Sequence, residues 1–437
     1  MGSATEAPGK AVVRRPLSRD VRLFWCASAT DALGSQASGV VLPLLLLGLG
    51  HSAATVGLVA GVSTAAGLLL APIAAVPADR GARKPVMLWS ALVSALAMGG
   101  VAVAATGRPP VALLLGAVLV ERFSTAVYEA AAAGTVALIA PPADSPRVVA
   151  GLSAADQGAL VVGPALGGAL YQASRALPFV ADAVSYTVAA VCVGALKSDL
   201  RPGEEAVAVG GAAQQPKQGA PGAQGPADPR PSRPPRPALR AELGAGLALV
   251  RTSPFLRLVL IWTTTVNGVI VALYYGAVFT LQKGGHGGAP MGLVLALSGA
   301  AGLVGSLAAP HLAGRISAAR LLVTVSWLLV PLAAALATVR GPWAYGGLFG
   351  VFCLLMPLVT VVLQSRAIQE TPPALQARTG AVLSSAVGGS AALAPVVAGV
   401  CASRAGTAAP AVASAAVLTL LACWTTYVRV PAREVAV

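Results

Sequence analysis

Apolar residues in this chain arrive in runs long enough to cross a bilayer, not at the short periods that mark one buried face of a soluble helix or strand. A spanning helix needs roughly 20 mostly apolar residues. Twelve stretches qualify: 21–49, 53–76, 86–106, 111–140, 148–173, 177–196, 254–281, 291–314, 318–339, 343–368, 379–403 and 407–428. Several exceed the minimum, which predicts helices that tilt, bend or protrude. The long polar interruption that begins at Ser198 contains GGAAQQPKQGAPGAQGPADPRPSRPPRP, a composition that cannot build a packed core. The pattern therefore predicts an all-α membrane protein of two six-helix bundles. Its expected parts are a cytoplasmic tail (1–20), an N-terminal bundle (21–197), a cytoplasmic linker (198–253), a C-terminal bundle (254–429) and a second cytoplasmic tail (430–437).

Composition agrees with this reading. The 437 residues are 56% hydrophobic and 11% charged, too little polar surface to cover a soluble globule of this size. The net charge of +14 has a topological explanation. With both termini cytoplasmic, only Arg108, Arg175, Lys283, Arg340 and Arg404 fall on the outer side, while residues such as Lys10, Arg80, Arg83, Arg147, Arg320 and Arg378 fall inside. The same charges are scattered over short loops and form no soluble basic face, which argues against a nucleic-acid partner. Residues 1–20 lack a short apolar core with a cleavage site, so no cleaved signal peptide is expected. An Ala- and Gly-rich composition suggests a high-GC bacterial source and a plasma-membrane location.

The halves are related. RVVAGLSAADQGALVVGPALGG (147–168) aligns with RTGAVLSSAVGGSAALAPVVAG (378–399) at a constant offset of 231 residues, matching Arg147 with Arg378, Ser153 with Ser384, Pro164 with Pro395 and Gly168 with Gly399. A duplicated six-span unit places a substrate path between the halves, near the bilayer midplane.

The loop between spans two and three, AVPADRGARK (75–84), resembles the G-x-x-x-D-R-x-G-R-K hallmark of the major facilitator superfamily, with Ala75 and Ala82 at the glycine positions. The resemblance implies twelve spans in that fold. It also implies a conformational latch formed by Asp79, Arg80, Arg83 and Lys84, with the start of span eleven near Arg378 as a partner; the alternative is that these charges only set orientation. The duplicate loop LAGRISAAR (312–320) keeps Arg315 but has Gly314 where the acid would stand. In span five, GPALGG resembles the end of the Gly-Pro motif of the exporter branch, drug and metabolite exporters of the enterobactin or macrolide type. It places Gly163, Pro164, Gly167 and Gly168 in a helix bend, where the alternative is ordinary small-residue packing. FVADAVSY (179–186) resembles the same branch.

Charges inside the spans are costly in lipid and suggest function. Asp31 lies in span one, Glu121, Arg122 and Glu129 in span four, and Asp156 in span five. The resemblance directs spans one and four to a central cavity, so these five are the expected proton-coupling or substrate residues. The alternative is a fixed ion pair of Asp31 or Glu121 with Arg122. Asp182 reads as structural, and Trp262, Asn267 and Gln364 are candidate cavity-lining residues of the second half.

Neither a phosphate-binding G-x-x-x-x-G-K-[ST] motif nor a nucleotide-binding domain is present, which leaves an ion gradient as the energy source. His51, His286 and His311 lack metal-ligand spacing, the five cysteines are dispersed among apolar spans, and no catalytic arrangement stands out; no metal, no cofactor and no enzymatic activity are expected. The sequence thus predicts a monomeric secondary transporter, with protons, lipid and a small organic molecule as its partners. Proton-coupled export is the expected direction, against an uptake permease or a membrane scaffold.

Overall fold

The structure, a computed structural model, describes residues 17–79, 83–141, 144–198, 200, 239–313 and 317–427. All twelve apolar runs fold as helices: α1 (Arg19–Gly48), α2 (Ala53–Asp79), α3 (Arg83–Ala105), α4 (Val111–Ala133), α5 (Ser145–Ala173), α6 (Leu177–Gly194), α7 (Pro254–Lys283), α8 (Gly288–Ala313), α9 (Ala318–Leu336), α10 (Pro342–Glu370), α11 (Gln376–Ala405) and α12 (Ala409–Tyr427). Local chemistry sets where they start. The Ser18 hydroxyl accepts from the Val21 N–H at 3.2 Å and the Ser253 hydroxyl from the Leu256 N–H at 3.3 Å, while α5, α6, α7 and α10 carry proline in their first turn, where a missing N–H costs nothing.

In the N-terminal bundle α1 packs on α5 and α6, and α4 on α2 and α3; in the C-terminal bundle α7 packs on α11 and α8 on α10. The bundles meet mainly through two helix pairs, α2 with α11 and α5 with α8, with smaller contacts from α1 to α7 and α8. Consecutive spans alternate in direction, so α1 begins and α12 ends on one side of the molecule, the terminal face, opposite the far face.

The Asp20 carboxylate closes the N-terminal bundle. It accepts the backbone N–H groups of Lys197 and Ser198 and bonds the Ser198 hydroxyl, tying the first turn of α1 to the chain leaving α6. An acid in a first turn is also favoured by the helix dipole.

Two boundaries differ from the sequence reading. The fourth apolar run (111–140) does not stay one helix: α4 stops at Ala133, and Val136–Ile139 forms a separate turn. Gly134 explains the break, since the Arg83 guanidinium lies where a Cβ would stand, 2.5 Å from it, and donates to the Gly134 carbonyl at 2.8 Å. The expected linker of 198–253 contains a helix, Leu239–Thr252, that packs on α11. Its sequence lies beyond the last proline of the Pro-rich segment, so nothing blocks the helical hydrogen bonds. Residues 1–16 and 430–437 of the expected tails, residues 199 and 201–238 of the linker, and Arg315 lie outside the described residues, whereas residues 19 and 20, expected in the first tail, open α1.

Candidate transport pathway

Small residues bring the bundles together on the far half. A Cβ on Gly57 would collide with the Pro395 carbonyl oxygen, one on Gly61 would sit 2.5 Å from the Ala392 carbonyl oxygen, and one on Gly399 would collide with the Ala53 carbonyl oxygen. The other pair repeats this arrangement: a Cβ on Gly292 would collide with the Pro164 carbonyl oxygen and one on Gly168 with that of Gly288. The repeat-related prolines 164 and 395 thus occupy equivalent contacts. Gln172 adds a polar link across the bundles, its Oε1 accepting the Ala289 N–H at 3.1 Å.

The terminal half is separated. Gly158 on α5 and Gly380 on α11 have nothing within 4 Å of their Cβ positions, and Asp156, Gln157, Ser384 and Ser385 are exposed or half-buried. The molecule is therefore sealed at the far face and parted towards the terminal face.

Cavities occupy the parted region. A central one of about 850 Å³ lies at mid-depth between the bundles, walled by Gln36, Tyr274, Tyr275, Phe349 and Met356 among others. A side chamber of about 470 Å³ lies wholly in the N-terminal bundle, nearer the terminal face, and gathers Asp31, Arg122, Tyr128, Glu129 and Asp156. Gln36 walls both spaces. Arg122 also reaches a third cavity of about 410 Å³, which shares Tyr275 with the central one.

The acids divide into two kinds. Glu121 is buried and satisfied: its Oε1 accepts from the Tyr186 hydroxyl at 2.7 Å and the Thr125 hydroxyl at 3.2 Å, and its Oε2 lies 3.4 Å from the Arg122 Nε. Tyr186 also bonds the Ser35 hydroxyl at 3.0 Å. Asp182 is 1% exposed and accepts from Ser38 at 2.5 Å and Ser185 at 3.3 Å. Gly34 permits this contact, because a side chain there would strike Ser185 and Asp182. By contrast, Asp31 Oδ1 and the Tyr128 hydroxyl are buried in the chamber wall without a hydrogen-bond partner, and Glu129 and Asp156 line the same chamber.

The structure therefore brings Asp31, Arg122, Glu129 and Asp156 together in one chamber, with Glu121 just behind it. Gly163, Gly167 and Gly168 let α5 approach its neighbours: Gly163 faces Gln36, Gly167 faces Ala37, and Gly168 faces α8. Of the expected latch, Arg83 and Lys84 bond within the N-terminal bundle, Lys84 Nζ donating to the Leu196 carbonyl at 2.6 Å beyond α6. Both cations thus sit on helix C-termini, where the dipole favours them. Asp79 ends α2, but its side chain, like Arg80, lies outside the described residues. Arg378 is half-buried at the start of α11 beside the Leu239–Thr252 helix. Trp262 does not line the cleft as expected. It is fully buried, and its indole N–H donates to Ser326 at 3.0 Å, joining α7 to α9. Asn267 is half-buried and Gln364 exposed, and neither lines these three cavities.

Sequence reasoning did not single out Ser35, Ser38, Thr125, Tyr128 or Tyr186. A signal was present: Asp31, Ser35 and Ser38 follow one another at helical spacing along one face of α1, towards the Asp182-x-x-Ser185-Tyr186 face of α6.

With twelve spanning helices, two bundles and a cleft sealed at one end, the chain has the build of a polytopic transporter. The family profile of the Major Facilitator Superfamily matches residues 24–379, and the chain belongs to that family. No curated protein matches the sequence. Among solved structures, a bacterial homologue of the iron transporter ferroportin in an inward-facing state is similar at a TM-score of 0.71 and 13% identity, covering 94% of this chain and 99% of that one. The nucleoside transporter NupG, in a point-mutant form, gives 0.68 and 12% with the same coverages. A bacterial homologue of the human lysosomal transporter Spinster, inward-facing and unoccupied, gives 0.67 and 14%, covering 93% and 96%. At these identities the likeness establishes the shared fold.

Proposed function

We propose that this chain is a proton-coupled exporter of a small organic molecule, a drug, antibiotic or secondary metabolite, working by alternating access in a bacterial plasma membrane with both termini cytoplasmic. The observation that carries the reading is the chamber on the parted side of the cleft, where the Oδ1 atom of the half-buried Asp31 has no hydrogen-bond partner and Glu129 and Asp156 line the same space. A carboxyl group in that setting is neutralised by a proton or by a ligand, and the exchange of one for the other couples two fluxes. In this orientation the far face is external and the structure is an inward-facing state. Export is supported by the GPALGG segment, whose Pro164 and Gly168 lie in the external seal. The latch enters as a second element of the proposal: Arg83 and Lys84 anchor the loop on α4 and α6, which leaves Asp79 to engage the start of α11 in the opposite access state.

The test is accumulation of a panel of antibiotics and dyes in a pump-deficient host carrying the intact protein, Asp31→Asn or Asp79→Asn, with and without a protonophore. Accumulation should fall with the intact protein and recover with either substitution or the protonophore. Raised accumulation would reverse the direction to uptake. A fall that survives Asp31→Asn would remove that residue from the coupling.

A further inference from the structure

We propose that the substrates are amphiphilic organic amines: a protonated amino group seats between Asp31 and Tyr128 in the side chamber, and the apolar body extends past Gln36 into the central cavity. The inference rests on the transport reading and adds the substrate's chemistry.

Charge selects the head group. The side chamber presents three carboxylates, Asp31, Glu129 and Asp156, against one cation, Arg122, whose Nε already faces Glu121. An anionic ligand would meet net repulsion there, and a neutral one would leave the carboxylates without compensation. Independently of the acids, Tyr128 is 6% exposed, yet its hydroxyl has no partner. A buried hydroxyl left unpaired destabilises the site, and an ammonium N–H is a donor that its lone pairs can take while Asp31 Oδ1 receives another. The division of the cleft selects the rest of the molecule. The acids lie in the chamber of about 470 Å³, whereas Tyr274, Tyr275, Phe349 and Met356 wall the adjoining space of about 850 Å³. A ligand that fills both spaces has a charged head and an aromatic or aliphatic body, and Gln36, common to both walls, lies where the two parts join.

The probe is dansylcadaverine, a fluorescent aromatic group on a short primary amine, compared with its N-acetyl derivative, which has nearly the same shape and no charge. Binding to the purified full-length chain in detergent is read from dansyl fluorescence. The amine should bind saturably and the acetylated compound about tenfold or more weaker, as expected when a buried charge pair is lost. Asp31→Asn should weaken the amine by a similar factor, Asp31→Glu should restore most of it, and Tyr128→Phe should cost about threefold to tenfold. Equal affinity for the two probes, unchanged amine affinity in Asp31→Asn, or no saturable amine binding to the intact chain would each overturn the proposal. If Asp31→Asn fails to fold, the comparison of the two probes on the intact chain and the Tyr128→Phe arm still decide it. Proton-driven movement of other compounds in everted vesicles, with no amine affinity, would sink the substrate class and leave the transport reading standing. Amine affinity without proton-driven movement would do the reverse.

Discussion

Hydroxyl groups hold the buried acids of the N-terminal bundle, and Tyr186 is the centre of that arrangement. It donates to Glu121 and bonds Ser35, so it joins α6 to α4 and α1 at once. Tyr186→Phe keeps the ring and strips these two bonds together with the 3.2 Å bond to the Thr125 hydroxyl. The expected result is a loss of about 1–3 kcal/mol of stability, because the Glu121 carboxylate loses its shortest bond within a buried setting. It should show as a lower unfolding temperature of the purified protein, and an unchanged temperature would mean that Thr125 and Arg122 suffice. The charged members of this site were legible in the sequence because an acid or arginine inside an apolar run stands out. Ser35, Ser38 and Tyr186 were not, since serine and tyrosine are common in spanning helices and reveal a role only once a neighbouring helix supplies their partner. Trp262 misled for the opposite reason: its polar N–H suggested the cleft, but Ser326 on α9 satisfies it inside the bundle.

Single glycines decide how closely whole helices approach. Gly57 faces Pro395 across α2 and α11, and Gly292 faces Pro164 across α8 and α5. A leucine at either position should wedge the far halves apart. In a background lacking the five native cysteines, a membrane-impermeant maleimide added from outside should label Tyr275→Cys in the central cavity faster with Gly292→Leu or Gly57→Leu present. Equal rates would show that the seal lies elsewhere. The internal repeat announced this symmetry through Pro164 and Pro395, but sequence alone did not show what the prolines touch, because that depends on the facing helix. Arg83 makes a comparable point. Its bond to the Gly134 carbonyl caps α4, so Arg83→Met should lower thermal stability by about 0.3–2 kcal/mol. A change in access state with no loss of stability would instead assign it to the latch.

For the molecule as a whole, the long apolar runs and the repeat made the two-bundle plan readable, since only helices of that length satisfy their backbone inside a bilayer. The covalent bridge between the bundles was less readable. Composition marked 198–253 as a single linker, whereas its last part is a helix docked on α11, with the Arg378 backbone 2.8 Å from where a Cβ on Gly246 would stand and Val250 buried. Gly246→Leu should push that helix away and cost about 1–3 kcal/mol of overpacking, read as a lower unfolding temperature with the acid chamber's ligand affinity unchanged. An unaltered temperature would make the docking incidental. The far-face seal has a different kind of consequence. Its described contacts are glycine backbone, proline, glycine and alanine carbonyls, the Val396 side chain and the uncharged Tyr171 ring, joined by the neutral amide of Gln172. Dissolved ions have little to screen in such a surface. On the proposed orientation and transport reading, a cell moved from fresh to saline surroundings would keep the same balance of open and shut molecules, and the cargo and coupled proton of that reading would set the pace.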